Sequence, residues 1–206
     1  MSASNLPAGA AAPQAVVVIE RTYRARIEEL WALWTTKAGF ESWWGPEGFR
    51  VEVHVLEARE GGAIEYDMIA DAPEAIAAMK AMGQPLSHGT RGTYAVFRPH
   101  ERLRLVHVID FVPGCEPYES LIDVGFSAAG DQARMVVTLH PHLDPHWTKM
   151  SVEGFGSQLT KLARRFGGAG HERAQDAPAF KTMPAARPGG PPPAAACLDP
   201  TPPSPR

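Results

Sequence analysis

Two cysteines in 206 residues, Cys115 and Cys197, are too few for a disulfide framework or a cysteine-type zinc site. Basic residues are not in excess: 20 Lys and Arg stand against 23 Asp and Glu, a formal net charge of -3. Such a balance leaves no electrostatic footprint for nucleic acid or an anionic membrane, and neither is expected as a partner. No apolar run reaches the roughly 18 residues of a membrane-spanning helix. The first residues, MSASNLPAGAAAPQ, lack a basic residue followed by an apolar stretch. No secretory signal is therefore expected, and the chain reads as cytoplasmic. A glycine-rich phosphate loop, a Gly-x-Ser-x-Gly elbow and a Cys-x-x-Cys pair are all missing.

Apolar residues make up 44% of the chain, the level of a protein that buries a core. Proline marks where that core should stop. Ten of the 20 prolines follow residue 166, and no apolar period survives there. Such a segment buries too little surface to offset its ordering entropy. The expectation is one folded unit over 14–166, a flexible stretch over 1–13 and a disordered tail over 167–206.

Within 14–166, AVVVIERTY (15–23) is a β-branched run and predicts a strand. Ile27, Leu30, Trp31 and Trp34 then recur at i, i+3, i+4 and i+7, one stripe of a helix. A shorter helix follows and stops at Gly45-Pro46. FRVEVHVLEA (49–58) and AIEYDMIA (63–70) alternate around Gly61-Gly62 and predict a hairpin. In the first of these strands Phe49, Val51, Val53 and Val55 share one face. DAPEAIAAMKAMG (71–83) reads as an inserted helix, with Asp71 and Glu74 as an N-terminal cap pair and Gly83 as the stop. Strands resume at 92–98, 102–110, 118–127 and 133–140. The last element, 146–166, has helical spacing and ends on Lys161, Arg164 and Arg165, where the helix dipole favours positive charge. Strands in one block with helices at the ends predict an α+β fold with a curved antiparallel sheet closed over a long C-terminal helix.

ELWALWTTKAGFESWWGPEGFRV (29–51) carries a resemblance. Trp31, Trp34 and Thr35 form a Trp-x-x-Trp-Thr helix, and Trp43 to Phe49 a Trp-Trp-Gly-Pro-x-Gly-Phe block. Gly61, Gly62, Tyr66 and Met68 follow, then Gly92 and Tyr94, the turn Pro99 to Leu103, and Leu159 to Leu162. In this order the motifs resemble the SRPBCC (START-like, helix-grip) superfamily, in its branch of activator of 90-kDa heat-shock-protein ATPase homologue-like proteins. Three features depart from that pattern. Phe155 stands where Trp is usual, Ile64 replaces an aromatic, and the insert 71–88 is long. The resemblance implies a helix-grip fold with a cavity between sheet and long helix. It implies no single activity, because the superfamily holds binders, cyclases, dehydratases and chaperone regulators.

Several residues are candidates for that cavity, each with a packing role as its alternative. Trp43, Trp44 and Phe49 surround the Gly-Pro turn. Tyr66, Met68 and Tyr94 share inward parity with Leu105, His107 and Ile109, and Phe155 and Leu159 face them from the last helix. Apolar walls with a few polar tips describe a small-molecule site. His107 is the one that titrates near neutrality. Glu65 and Asp67 fall on the opposite face, and no catalytic residue is assigned among them or Asp110. His140, His142 and His146 form His-x-His-x-x-x-His, but Pro141 and Pro145 break regular structure there, so no metal and no cofactor are expected. Cys115 has no neighbouring base in sequence and is not assigned as a nucleophile. Gly154 and Gly156 each cost a helix about 1 kcal/mol relative to alanine. Either the helix packs close to the sheet there, or the glycines leave room for a ligand.

The sequence thus points to a binder of a small hydrophobic molecule. The alternatives are a chaperone ATPase co-regulator acting through protein contacts, and a cyclase- or dehydratase-type enzyme using the same cavity. The apolar insert, with Ile76, Met79 and Met82, is the expected gate.

Overall fold

The computed structural model describes residues 15–112 and 114–166. The expectations for the first 13 residues and for 167–206 lie outside the described residues. Eleven elements follow one another: β1 (Val17–Tyr23), α1 (Ile27–Thr35), α2 (Lys37–Glu41), β2 (Phe49–Leu56), β3 (Ala63–Ala70), α3 (Pro73–Ala81), β4 (Ser87–Arg98), β5 (Arg102–Ile109), β6 (Tyr118–Ala129), β7 (Gln132–Leu139) and α4 (Pro145–Arg165).

The seven strands form one antiparallel sheet in the order β1-β7-β6-β5-β4-β3-β2. The first two strands are therefore its opposite edges, although only α1 and α2 separate them in sequence. The chain must carry α1 and α2 across one face of the sheet to get from edge to edge. That crossing brings the tryptophan-rich segment onto the concave side, and α4 closes over it. The fold is the α+β helix-grip arrangement expected.

Local chemistry shapes the crossing. The Glu29 carboxylate accepts from the Arg26 backbone N–H at 2.7 Å, closing the first turn of α1. Thr36 is extended and ends α1 while capping α2. Its hydroxyl donates to the Ala32 carbonyl at 2.8 Å and accepts from the Gly39 N–H at 3.0 Å. Gly45, at φ 88°, takes the left-handed turn that re-aims the chain into β2.

Three of the four stripe residues on α1 are buried: Leu30, Trp31 and Trp34 join Phe126 and Leu105 in one core cluster, and Ile27, at the start of the helix, packs half-buried against it. Trp31 packs edge-on against Phe97 at 5.0 Å and Phe126 at 5.6 Å. Tyr66, Tyr94 and Leu105 point inward as parity requires, while Glu65 is exposed on the convex face.

Three sequence expectations need correction. The strand β4 starts at Ser87, five residues before the apolar alternation begins, because Ser87–Arg91 pairs with β3 through its backbone. The insert is shortened accordingly. Helix α3 has Ala72 as N-cap with no side-chain bond, and Pro73 opens it, so Asp71 and Glu74 make no cap pair. The register of β2 on β3 slips between Val53 and Val55, a bulge that leaves Val53 buried and Val55 only half-buried.

Truncating Trp31 removes a buried ring whose neighbours are themselves rings. Trp31→Ala should cost about 3–5 kcal/mol in denaturant unfolding. A loss below about 1 kcal/mol would contradict its place in the core.

Candidate functional site

The residues most able to meet a ligand lie where the α1–α2 crossing, the middle of the sheet and α4 converge. The indoles of Trp34 and Trp43 meet edge-on at 4.9 Å, and Trp44 stands 5.4 Å from Trp34 and 6.0 Å from Phe155. Two of the three indole N–H groups are spoken for. Trp43 Nε1 donates to the Leu33 carbonyl at 3.0 Å, and Trp44 Nε1 donates to the Tyr66 hydroxyl at 3.0 Å. Trp34 Nε1 is buried with no partner, an unmade bond worth about 1–3 kcal/mol.

Beside Trp44, the Tyr66 hydroxyl lies 3.5 Å from His107 Nε2, the outer limit of a hydrogen bond. Both groups are buried. Burial pushes the Tyr66 phenol up to about 12, against the hydrogen bonds from Trp44 and Thr90 that favour its ionised form. Burial alone lowers the His107 imidazole to about 4. The pair is therefore neutral across the physiological range. Gly92, opposite His107 across β4 and β5, leaves the ring its space. A Cβ on Gly92 would stand 2.5 Å from the Val106 carbonyl oxygen and 3.1 Å from the imidazole.

Of the residues singled out in sequence, Trp44, Tyr66, His107 and Phe155 meet in this ring cluster, with Leu105 and Leu159 in the same core. Tyr94 turns away from it: its hydroxyl donates to the Trp34 carbonyl at 2.6 Å and pins α1 to β4. Met68 packs against the edge of the core, and Ile109 is buried beyond it towards the β5–β6 loop. Phe49 is not brought in. It sits half-buried at the edge strand, where its carbonyl accepts from Lys161 Nζ at 2.8 Å.

Sequence reasoning missed two features. The first is the way α4 is held. Gln158 Oε1 accepts from the Gly45 N–H at 3.1 Å, and Ser157 Oγ accepts from the Glu47 N–H at 3.0 Å. Thr160 and Arg164 donate to the Glu47 carboxylate, and Arg165 donates to the Ser42 hydroxyl at 2.9 Å. Every one of these ties to 42–49 comes from Ser157 onward. Gly154 and Gly156 lie just before the tied half. A Cβ on either meets nothing within 4 Å, so close helix–sheet packing is not what they serve.

The second feature is an apolar rim. Phe111 lies 4.7 Å from the His88 ring and 5.6 Å from Trp147, and it is exposed together with Leu143 and Met150. This rim borders the N-terminal half of α4. Only exposure in three dimensions reveals it, because the three residues come from two separate loops and a helix. The interior between sheet and α4 is occupied by its own rings. Two depressions among the described residues lie elsewhere, one between α1, α2 and Arg165-Phe166 and one on the convex face beside His54 and Asp110.

The other candidates are bound up on the convex side. His54 faces Asp67 at 3.2 Å and Arg91 faces Asp110 at 3.2 Å. His140 contacts Asp123 at 3.0 Å, which also receives Arg102 and Arg104. Burial works to raise the Asp123 carboxyl, but these hydrogen bonds outweigh it and hold it below the usual carboxylate range. His142 instead pairs with the Tyr118 hydroxyl at 2.9 Å. His140 and His142 thus turn to different partners, the His146 ring lies edge-on to Trp147 at 5.8 Å, and no group of three metal-ligating side chains occurs among the described residues. No helix among those residues is long and apolar enough to cross a membrane.

The buried histidine makes stability depend on pH. Its imidazole titrates near 6.5 when unfolded and near 4 when folded, so the unfolded chain takes up a proton first as pH falls. The stability linked to His107 is complete above about 6.5 and is lost as pH falls towards about 4. In thermal unfolding, His107→Gln should show a smaller drop in Tm between pH 7 and pH 5 than the parent. An equal drop would mean that His107 is solvated.

Residues 24–167 match the family described as Activator of Hsp90 ATPase homolog 1-like protein. Solved structures share the fold. A protein of Chromobacterium violaceum aligns with a TM-score of 0.60 and 21% identity, covering 74% of this chain and 96% of that one. An AHSA1 protein of Silicibacter pomeroyi gives 0.58 and 21%, covering 73% and 96%. A protein of Mycobacterium smegmatis gives 0.57 and 13%, covering 74% and 90%. No curated protein matches the chain.

Proposed function

The chain belongs to the Activator of Hsp90 ATPase homolog 1-like family, and from that premise we propose that it binds a small hydrophobic molecule between the sheet and α4. The observation that carries this reading is the pair Gly154 and Gly156, which weaken the helix by about 1 kcal/mol each, Gly154 half-buried with no atom within 4 Å of an added Cβ and Gly156 facing solvent. They stand at the junction between a half of α4 held by six side chains and a half that carries the apolar rim. A helix weakened at that point can lift its N-terminal half without breaking the ties from Ser157 onward. Lifting it would open the ring cluster at Phe155 and let an apolar molecule enter past Phe111, Trp147 and Met150. Segments with few such ties open at low free-energy cost.

An enzymatic reading has less support. A general acid or base works best with a pKa near the operating pH, whereas burial moves Tyr66 up to about 12 and His107 down to about 4. The family description favours one further reading, a domain that acts on a chaperone ATPase. It would use the exposed Phe111, Leu143 and Met150 as its contact. The insert that contains α3 is the proposed gate of the entrance. Its residues are not buried, and it leans on the Gly48 turn through Ala75 and Ala72.

Gly154→Leu separates these readings. A leucine there strengthens the helix and fills the space beside it. Binding of an uncharged apolar fluorophore such as Nile red should be lost, with Tm unchanged or slightly raised. Unfolding of the variant would show that the glycine serves packing, and unchanged fluorophore binding would place the ligand elsewhere.

A further inference from the structure

The interior that would receive the ligand is closed to charge. Among the described residues, the buried polar side chains are Thr35, His107 and Gln158, besides the tyrosine hydroxyls and tryptophan N–H groups, and no Asp, Glu, Lys or Arg is buried. The ion pairs all involve exposed or half-exposed side chains, such as Arg134 with Glu20 and Arg104 with Asp123. An anionic head group carried inside would find no cation, and an ammonium would find no carboxylate. Burying either without a partner is strongly unfavourable. His107 does not supply a cation, since burial holds it neutral above about pH 4.

The interior is richer in donors than in acceptors. Gln158 has its amide oxygen occupied by the Gly45 N–H, and Thr35 donates to the Trp31 carbonyl at 2.8 Å. The Tyr66 oxygen accepts from Trp44 and from Thr90, so what Tyr66 has left to offer is its proton. The ring nitrogen beside it is His107 Nε2, at the 3.5 Å limit. The Trp34 N–H adds an unclaimed donor to the same cluster of rings. A neutral imidazole carries one N–H and can hold it on either nitrogen. With that hydrogen on Nε2, both Tyr66 and His107 donate, and an oxygen seated between them accepts two hydrogen bonds with no net charge anywhere.

We propose that the molecule bound here is uncharged and carries a carbonyl oxygen, of a ketone, ester or amide, on an apolar body, and that the Tyr66 hydroxyl and the His107 imidazole donate to that oxygen. This rests on the binding reading above and narrows it to one class of ligand. Fatty acids in their ionised form are disfavoured, and a bare hydrocarbon binds without the polar anchor.

Three probes that share a body test it on the full chain at pH 8: a decylpyrene hydrocarbon, the methyl ester of pyrene-decanoic acid, and the free acid. The ester should bind most tightly, about tenfold or more above the acid, with the hydrocarbon between them. Tyr66→Phe should lower ester affinity to that of the hydrocarbon and leave the hydrocarbon unchanged, with Tm read alongside. Acid binding equal to ester binding would overturn the proposal and leave the binding reading standing. An ester that binds no better than the hydrocarbon would do the same, and this comparison needs no variant. Failure of all three probes would remove the binding reading itself and the proposal with it.

Discussion

The position of Trp34 sets the arrangement of everything on the concave side. Its backbone carbonyl accepts the Tyr94 hydroxyl at 2.6 Å, which fixes the end of α1 over the middle of the sheet. Its indole meets Trp43 and Trp44 edge-on and stacks at 6.5 Å with Phe155 of α4. Edge-on and offset contacts between rings add to the burial of their area, so this cluster is both the largest apolar mass and the most directional one. It also sets a spacing. With indoles between them, α4 and the sheet are kept apart by the width of aromatic rings.

That spacing makes the two halves of α4 unequal. From Ser157 onward, polar side chains reach the turn at 42–49 and replace the contact that the rings deny the helix backbone. Before Gly156 the helix meets an apolar rim whose members remain partly in water. A helix tied at one end and weakened by two glycines at the boundary is the structural basis for a molecule that opens locally and keeps its global fold. The family fold accommodates this without any change in strand order, because the sheet is complete without α4.

Electrostatics divide the molecule in the same way. Charged residues pair on the convex face and on the outer surfaces of the helices, and among the described residues none is buried between sheet and α4. Desolvation, more than any neighbouring charge, moves the pKa values of Tyr66 and His107 away from pH 7 in opposite directions and keeps both groups neutral. A pair moved apart in this way is poorly suited to exchange a proton near pH 7, and well suited to hold a hydrogen bond of fixed sense to a neutral guest.

Much of this was written locally in the chain. The two-residue period put Tyr66, Tyr94, Leu105 and His107 on the inner face, and the 3.6-residue period did the same for Leu30, Trp31 and Trp34. The hairpin at Gly61-Gly62 and the long last helix followed from the same patterns. Periods report which face a side chain takes, because that is a property of one strand or one helix. They do not report which side chains on a face meet. Tyr94 and Tyr66 share a parity, yet one pins α1 and the other meets Trp44 and His107, since register and the α1–α2 crossing decide what lies above each strand. The start of β4 was hidden because its pairing is carried by backbone groups that every residue has. Phe49 stays outside the ring cluster because it opens the edge strand, where its side chain is only half-buried. The sequence by itself determined the elements, their inward faces and the family. Only the tertiary structure decided the Tyr66–His107 contact, the tied and untied halves of α4 and the rim at Phe111, because each joins residues far apart in the chain through distances that no local period encodes.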